Sequence, residues 1–242
     1  MRPAAPEEVL ISTLAELIGP VRHVAVGAAS PMPAAAALLA RTLHGTRVTL
    51  LHSRRHNSFT DGSRELFDLA GQGRIDVFFL GGVQIDGAAN VNLVGTGRYP
   101  KLDKRFPGSF GSAYLAFVVP RVILFREEHS PRTLVERVDF VSAPGTSPAG
   151  VFRPGGPSHL LTSIALFAFD RTRGRFRLQA KAPGVATHDI VAATGFAFDQ
   201  AADVPELTAP EPGLLATLRG PVAAALGESY PEFTRRLFAD LV

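Results

Sequence analysis

Apolar residues recur at helical spacing over residues 9–18, and Gly19-Pro20 closes that run. A short apolar strand follows, VRHVAVG at 21–27. The next segment, AASPMPAAAALLARTLHG, enters through Ser-Pro-Met-Pro and stops at Gly45, which predicts an alanine-rich helix able to lie close against a sheet. RVTLL (47–51) is a second strand, and residues 63–70 form a short helix capped by Ser63 with Glu65 in its first turn. IDVFFL (75–80) and RVILFR (121–126) are the third and fourth strands. Strands alternating with helices at this spacing predict βαβ units in an open, mainly parallel sheet with flanking helices, an α/β fold.

The second half changes character. LTSIALFAFD, RTRG and RFRLQAK read as an apolar strand, a turn with Gly174 and a second strand, hence a late antiparallel hairpin. A short helix begins near Thr187, a return strand covers 196–198, and the tail from Pro205 turns apolar-helical. No repeat or low-complexity linker interrupts the chain, so the expectation is one domain over 1–242, with its core at about 21–198 and a helical tail at 205–242.

Composition narrows the class. With 242 residues, 46% hydrophobic and 19% charged, the chain is long and apolar enough to bury a full core. The net charge is only +3 and no basic block appears, which argues against nucleic acid as a partner. The absence of cysteine excludes disulfides, a thiolate nucleophile and Cys-ligated metal, and it fits a reducing cytosol. Glu7 and Glu8 stand where a signal peptide needs its apolar segment. No apolar run approaches the roughly 20 residues of a membrane span. A soluble cytoplasmic protein with no membrane partner is expected.

The chemistry gathers where the third strand ends, in IDVFFLGGVQIDGAANVN (75–92). In an open parallel sheet, ligands bind beyond the carboxyl ends of the strands. Gly81 and Gly82 let backbone approach a ligand closely, because no Cβ stands in the way. Gln84 and Asn90 are neutral amides near exposed N–H groups, suited to a carbonyl oxygen that gains negative charge; the alternative is a tight turn with solvated amides. Asp86 suits fixing the turn better than abstracting a proton. A second glycine loop, KRFPGSFGSAYLA (104–116), brackets Ser109-Phe110 between Gly108 and Gly111 and opens a possible helix, offering N–H groups to an anion or a carbonyl.

Gly81-Gly82-Val83-Gln84-Ile85-Asp86 with Asn90-Val91-Asn92 resembles the G-A-x-Q-V-D-x-x-G-N-x-N segment of the beta (B) subunits of family I coenzyme A transferases of the glutaconate type. PGSFGSA resembles that family's P-G-x-G-G-x loop, RVILFREEHSPRTLVERVDFVSAPG its strand-hairpin segment, and GPSHLLTSIALFAFDRTRGRFRLQAKAPGVATHDIVAATGF its closing section. The resemblance runs in order over about 21–198. It implies the family's α/β fold, an alpha-type partner subunit, often as (αβ)₂, and an acyl-CoA substrate. Coenzyme A then enters as part of the substrate, and no separate cofactor is implied. Gln84 and Asn90 become candidate oxyanion donors, and Gly81, Gly82, Gly108, Ser109 and Gly111 candidates for positioning acyl-CoA.

In those transferases a glutamate at the end of an early beta-subunit strand attacks the thioester and carries the acyl and CoA groups in turn. Here that strand runs into His52-Ser53-Arg54-Arg55-His56, without a glutamate, and the next acids are Asp61 and Glu65. Ala89 and Phe110 also replace usual glycines. Related ring-opening acyl-CoA hydrolases lack the beta-subunit glutamate and carry their acid/base on the alpha subunit, so a transferase with a displaced glutamate and such a hydrolase both stay open. A ligand-binding or sensor subunit is the non-enzymatic alternative. His52 and Arg54 are candidates for CoA phosphates or a substrate carboxylate, against the plainer reading of a solvated loop. His23 reads as structural. His129, His159 and His188 show no ligand spacing, so no metal site is expected. Glu127-Glu128 fits an exposed strand-end pair better than a catalytic one.

Overall fold

A computed structural model describes residues 2–239 of the chain. They cluster into two compact units, one up to Leu69 with Arg74–Phe79 and the chain from Thr208 onward, the other Ala70–Gly73 with Leu80–Leu207.

The first unit opens with α1 (Pro6–Ile18), whose start is held by Glu8 accepting the Ala5 N–H at 2.7 Å. Strand β1 (His23–Val26), helix α2 (Pro31–His44), strand β2 (Arg47–Leu50), helix α3 (Gly62–Gly71) and strand β3 (Val77–Leu80) follow. β1 pairs in parallel with β2, His23 opposite Arg47, and with β3, Val24 opposite Val77. The alanines of α2 serve the expected close packing, since Ala34, Ala35, Ala36 and Ala37 are wholly buried. One detail differs at α3. The helix begins at Gly62, so Ser63 lies inside it, and Glu65 reaches back to accept the N–H groups of Thr60 and Asp61 at 2.7 and 3.4 Å.

The second unit carries two pairs of two-residue strands: β4 (Gln84–Ile85) with β5 (Val91–Asn92), and β6 (Gly95–Thr96) with β7 (Lys104–Arg105), both antiparallel. Helix α4 (Ser112–Val118) leads into β8 (Arg121–Phe125). Strand β9 (Pro157–Leu161) runs parallel to β8; β10 (Ala165–Asp170) and β11 (Arg175–Lys181) continue antiparallel. After α5 (Thr187–Ala193), β12 (Asp199–Gln200) lies parallel to β11. The fold is therefore the expected mainly parallel sheet with a late antiparallel hairpin. Two expectations shift. LTSIALFAFD is not one strand: its first leucine ends β9, and Thr162 turns the chain by accepting the Ala165 N–H on its hydroxyl at 3.0 Å. The return strand lies at Asp199–Gln200 rather than 196–198, because Phe196 and Phe198 face the Phe167 ring, at 6.3 and 5.0 Å between centroids. Phe167 and Phe176, both fully buried, centre this aromatic core.

The tail returns to the first unit as α6 (Pro212–Thr217), a π-turn at Leu218–Val222, α7 (Ala223–Leu226) and α8 (Pro231–Phe238). Arg219 on the π-turn pairs with the fully buried carboxylate of Glu8 through Nε and Nη2, both at 2.7 Å. The tail also reaches the exit of β2: Glu228 accepts the Ser53 hydroxyl at 2.7 Å and the Arg54 N–H at 3.2 Å.

Candidate active site

β8 is an apolar strand that ends in charge. Val122, Ile123 and Leu124 are fully buried, after which the chain leaves the sheet as Arg126-Glu127-Glu128. The parallel neighbour β9 ends alongside, with the Arg126 N–H donating to Leu161 O at 3.0 Å and the Ser163 N–H to Glu127 O at 3.1 Å. Arg126, Glu127, Glu128 and Ser163 line a cleft of about 520 Å³ at these carboxyl ends, where an open α/β sheet places its ligands. The two acids differ. Glu128 accepts the Ser130 hydroxyl at 2.7 Å, Arg132 on both oxygens and Arg126 Nη2 at 3.1 Å. Ser130 first, then Arg132 and Arg126, hold its carboxyl down to about 2, so Glu128 is a fixed anion. Glu127 is exposed and has no ion pair among the described residues. Arg126, braced by Glu128, keeps a buried Nε with no partner among the described residues.

The glycine pair has a packing reason. A Cβ on Gly81 would stand 2.9 Å from Phe125 O at the end of β8, and one on Gly82 would meet Val91 Cγ1 at 2.5 Å. Close approach is needed here, but to the chain's own backbone.

The polar cluster after the pair is a brace. Gln84, only 7% exposed, accepts Asn92 Nδ2 at 2.8 Å and the Asp139 N–H at 2.9 Å, and donates Nε2 to Asp139 Oδ2 at 3.1 Å. Asp86 Oδ1 accepts the N–H groups of Ala88 and Asn90, each at 3.1 Å, which fixes the turn as expected for it. Asn90 donates to Asp86 Oδ2 at 3.1 Å and accepts the Gly145 N–H at 3.0 Å. In this arrangement Gln84 and Asn90 tie the loop 81–92 to the segment 139–145, and each amide nitrogen has one hydrogen left for anything else. Ala89 adopts φ 57°, in the left-handed region that favours glycine.

The second glycine loop opens the helix expected after it. Gly111, at φ 60°, caps α4, and Ser109 O accepts the Ser112 N–H at 3.4 Å. Gly108 packs on Leu93, 3.1 Å from its carbonyl oxygen to a hypothetical Cβ. Phe110, between Gly108 and Gly111, is 67% exposed.

His52 and Arg54 belong to the first unit. His52 Nε2 meets Ser229 O at 2.9 Å and its ring stacks on Tyr230 at 4.9 Å, while Arg54 offers its N–H to Glu228. Hydrogen bonds from Ser229, Ser53 and the backbone of Arg54 and Arg55 hold the exposed Glu228 carboxyl down to about 2. A glutamate does stand at the β2 exit, then, delivered from the tail. No local pattern announces a partner 175 residues away. Nor does periodicity single out Arg126 and Ser163, which share a cleft only through the β8–β9 register.

The coenzyme A transferase family model matches residues 44–193, which takes in β2, the loop 81–92, the second glycine loop and the β10–β11 hairpin. The chain belongs to the coenzyme A transferase family. It is 32% identical over 169 residues to the B subunit of 3-oxoadipate CoA-transferase from Pseudomonas knackmussii, covering 66% of this chain and 65% of that one. It is 33% identical over 150 residues to the B subunit of glutaconate CoA-transferase from Acidaminococcus fermentans, covering 59% and 55%. The matched part thus spans less than two thirds of either relative's own length. Among solved structures it is similar to the decarboxylase AibA/AibB, at a TM-score of 0.77 and 26% identity over 91% of this chain and 98% of that one. Residues 52–56, at the exit of β2 in this coenzyme A transferase family member, include no acid.

Proposed function

We propose that the chain is the B-type subunit of a two-subunit enzyme that acts on an acyl-CoA thioester and binds the acyl group in the cleft at the ends of β8 and β9. The observation that carries the reading is the cleft itself, about 520 Å³ at the ends of β8 and β9, with a braced Arg126 and a Glu127 that has no ion pair among the described residues. Similar proteins are named for 3-oxoadipate and glutaconate, both dicarboxylates. Once one carboxyl is in the thioester, the other stays free, and a guanidinium matches its two oxygens. Gln84 and Asn90 take a positioning role, holding the loop at the cleft's edge, and the Gly108–Gly111 loop presents N–H groups to the CoA portion.

With no acid between His52 and His56, attack by water is the favoured chemistry. The partner subunit, expected to be alpha-type, supplies the acid/base, and free CoA leaves without a carboxylate acceptor. The test is co-expression with an alpha-type partner and measurement of thiol release from glutaconyl-CoA and 3-oxoadipyl-CoA. Release that proceeds without added carboxylate is expected; an absolute requirement for a carboxylate acceptor overturns the hydrolytic reading.

A second reading rests on Glu228. Its carboxylate is anionic and lies at the β2 exit, so a glutamyl intermediate would form there. Hydroxylamine trapping in the presence of acyl-CoA, followed by peptide mapping, separates the two. Modification of Glu228, together with loss of turnover in Glu228→Gln, selects the transferase. Full turnover in Glu228→Gln selects water.

A further inference from the structure

A second, smaller cleft of about 180 Å³ lies in the second unit, away from the ends of β8 and β9 in sequence and lining. Its walls include Thr146, Ser147, Val151, Arg153 and Arg171, with no carboxylate among them. Arg153 is a fixed group. Its Nε donates to Gly155 O at 3.0 Å, and its Nη2 donates to Ala116 O at 2.8 Å and Pro144 O at 2.9 Å. The guanidinium also lies over the Phe117 ring, 5.6 Å from its centroid. Three carbonyls and a ring therefore orient it, and its remaining nitrogen, Nη1, is buried without a partner among the described residues.

Such a donor is costly to leave unmet, more so on a charged group. Arg171 faces the same cleft from the turn after β10. Gly156 separates the two side chains. A Cβ there would stand 3.3 Å from Arg171 Cδ and 3.4 Å from Arg153 Nε, and φ is 148°, so the backbone keeps the space between the arginines open. Burial first, and the charge of Arg171 second, lower the pKa of Arg153, as expected of two cations sharing a site without an anion. No ion pair reaches either arginine among the described residues, and neither the Thr146 nor the Ser147 hydroxyl has a partner there.

We propose that this cleft is an anion subsite for a phosphate group, held by Arg153 Nη1, the Arg171 guanidinium and the hydroxyls of Thr146 and Ser147. The donors come from three stretches of chain, the loop at 146–147, Arg153 and the hairpin turn. A tetrahedral anion offers oxygens in that many directions; a flat carboxylate offers two in one plane. The phosphate is either the ester phosphate of a coenzyme A nucleotide or free inorganic phosphate. Both share the chemistry, and the free-phosphate arm of the test stands whether or not the acyl-CoA reading holds.

The test is calorimetric titration of the full chain with inorganic phosphate at fixed ionic strength. Saturable binding is expected in the wild type. Arg171→Gln, at an exposed position outside the β10 ladder, weakens it about 10-fold or more while leaving the far-UV spectrum unchanged. Arg153→Gln weakens it too, but it also removes three carbonyl contacts, so Arg171→Gln is the deciding variant. Coenzyme A and 3′-dephospho-coenzyme A, titrated in parallel, separate the sources. Selective weakening of coenzyme A in Arg171→Gln identifies its 3′-phosphate as the ligand; equal binding of both compounds by wild type and variant leaves free phosphate as the ligand. Phosphate binding that does not saturate, or that Arg171→Gln leaves untouched, overturns the proposal.

Discussion

Replacing Gln84 by alanine separates a brace from an oxyanion donor. The side chain makes three hydrogen bonds that join β4 to Asn92 and to Asp139. The bond to Asn92 is fully buried, and without it Asn92 Nδ2 keeps only Gly95 O at 2.7 Å. Losing a partner in such a place costs about 1–2 kcal/mol. Asp139 is exposed, so water replaces part of what its two bonds contributed, about 0.5 kcal/mol each. The sum is about 2–3 kcal/mol, which for a chain of this size lowers Tm by roughly 4–12 °C. Scanning calorimetry on Gln84→Ala reads that shift directly, and kcat of the assembled complex should fall only as far as the loop loosens. Gln84→Met, which fills the space without the hydrogen bonds, should lose most of the same stability. A Tm within about 1 °C of wild type together with a kcat about 10²-fold lower would refute the brace and return Gln84 to direct stabilisation of the oxyanion.

Arg219→Ala leaves the buried Glu8 carboxylate with the Ala5 N–H at 2.7 Å and a single cation, Arg2 at 3.5 Å, and a loss of about 3 kcal/mol is expected in denaturant unfolding. The pair Glu8→Leu with Arg219→Met should recover most of it, and no recovery would mean that the charges themselves stabilise the tail. His129 sits between the hydroxyls of Thr162 and Thr194 at 2.8 and 2.9 Å, and burial pushes its pKa down from 6.5 to about 4. Below pH 6.5 the unfolded chain takes up a proton that the native imidazole refuses, so stability falls toward pH 4 and levels off beneath it. Unfolding curves of His129→Gln should lose that part of the slope; an unchanged pH profile would show that the ring is not held neutral. Ala89→Gly relieves the left-handed backbone by about 1–2 kcal/mol but gives up a buried methyl and unfolded-state order of similar total size. Stability within about 1 kcal/mol of wild type is expected, and a loss above about 2 kcal/mol would show that the methyl packs better than its surroundings suggest.

What the sequence disclosed follows from how far apart the interacting residues lie. Alternation of apolar runs with an alanine-rich helix is a local pattern, and β1, α2, β2 and β3 appear within a residue or two of where it puts them. The hairpin of β10 and β11 is equally local. β9 escapes because PSHLL carries a polar Ser-His pair and reads as a strand only once β8 lies beside it. The glycine pair was legible as a site of close approach, but not what approaches: Phe125 O comes from 44 positions further along, a distance periodicity does not span. Gln84 and Asn90 were legible as a polar cluster beside a strand end. Their function depends on Asp139 and Gly145, partners 55 positions away in each case, and an amide looks the same in sequence whether its donors face a ligand or a loop. Arg153 and Arg171 escaped for the same reason.

The grip of Glu228 on the loop after β2 has a consequence for solubility. β2 is the outermost strand of its parallel set, and an outer strand presents backbone groups that another chain can pair with. Here the loop folds back over that rim: the Leu50 N–H donates to His56 O at 2.9 Å and Asn57 Nδ2 donates to Leu51 O at 3.1 Å. Ser53 in turn orders the loop by accepting the N–H groups of Arg55 and His56, and its own hydroxyl is what Glu228 holds. The last helices thus act as a latch on a guard against strand-to-strand stacking. Chains shortened before Glu228 should keep their sheet and still precipitate, β2 against β2.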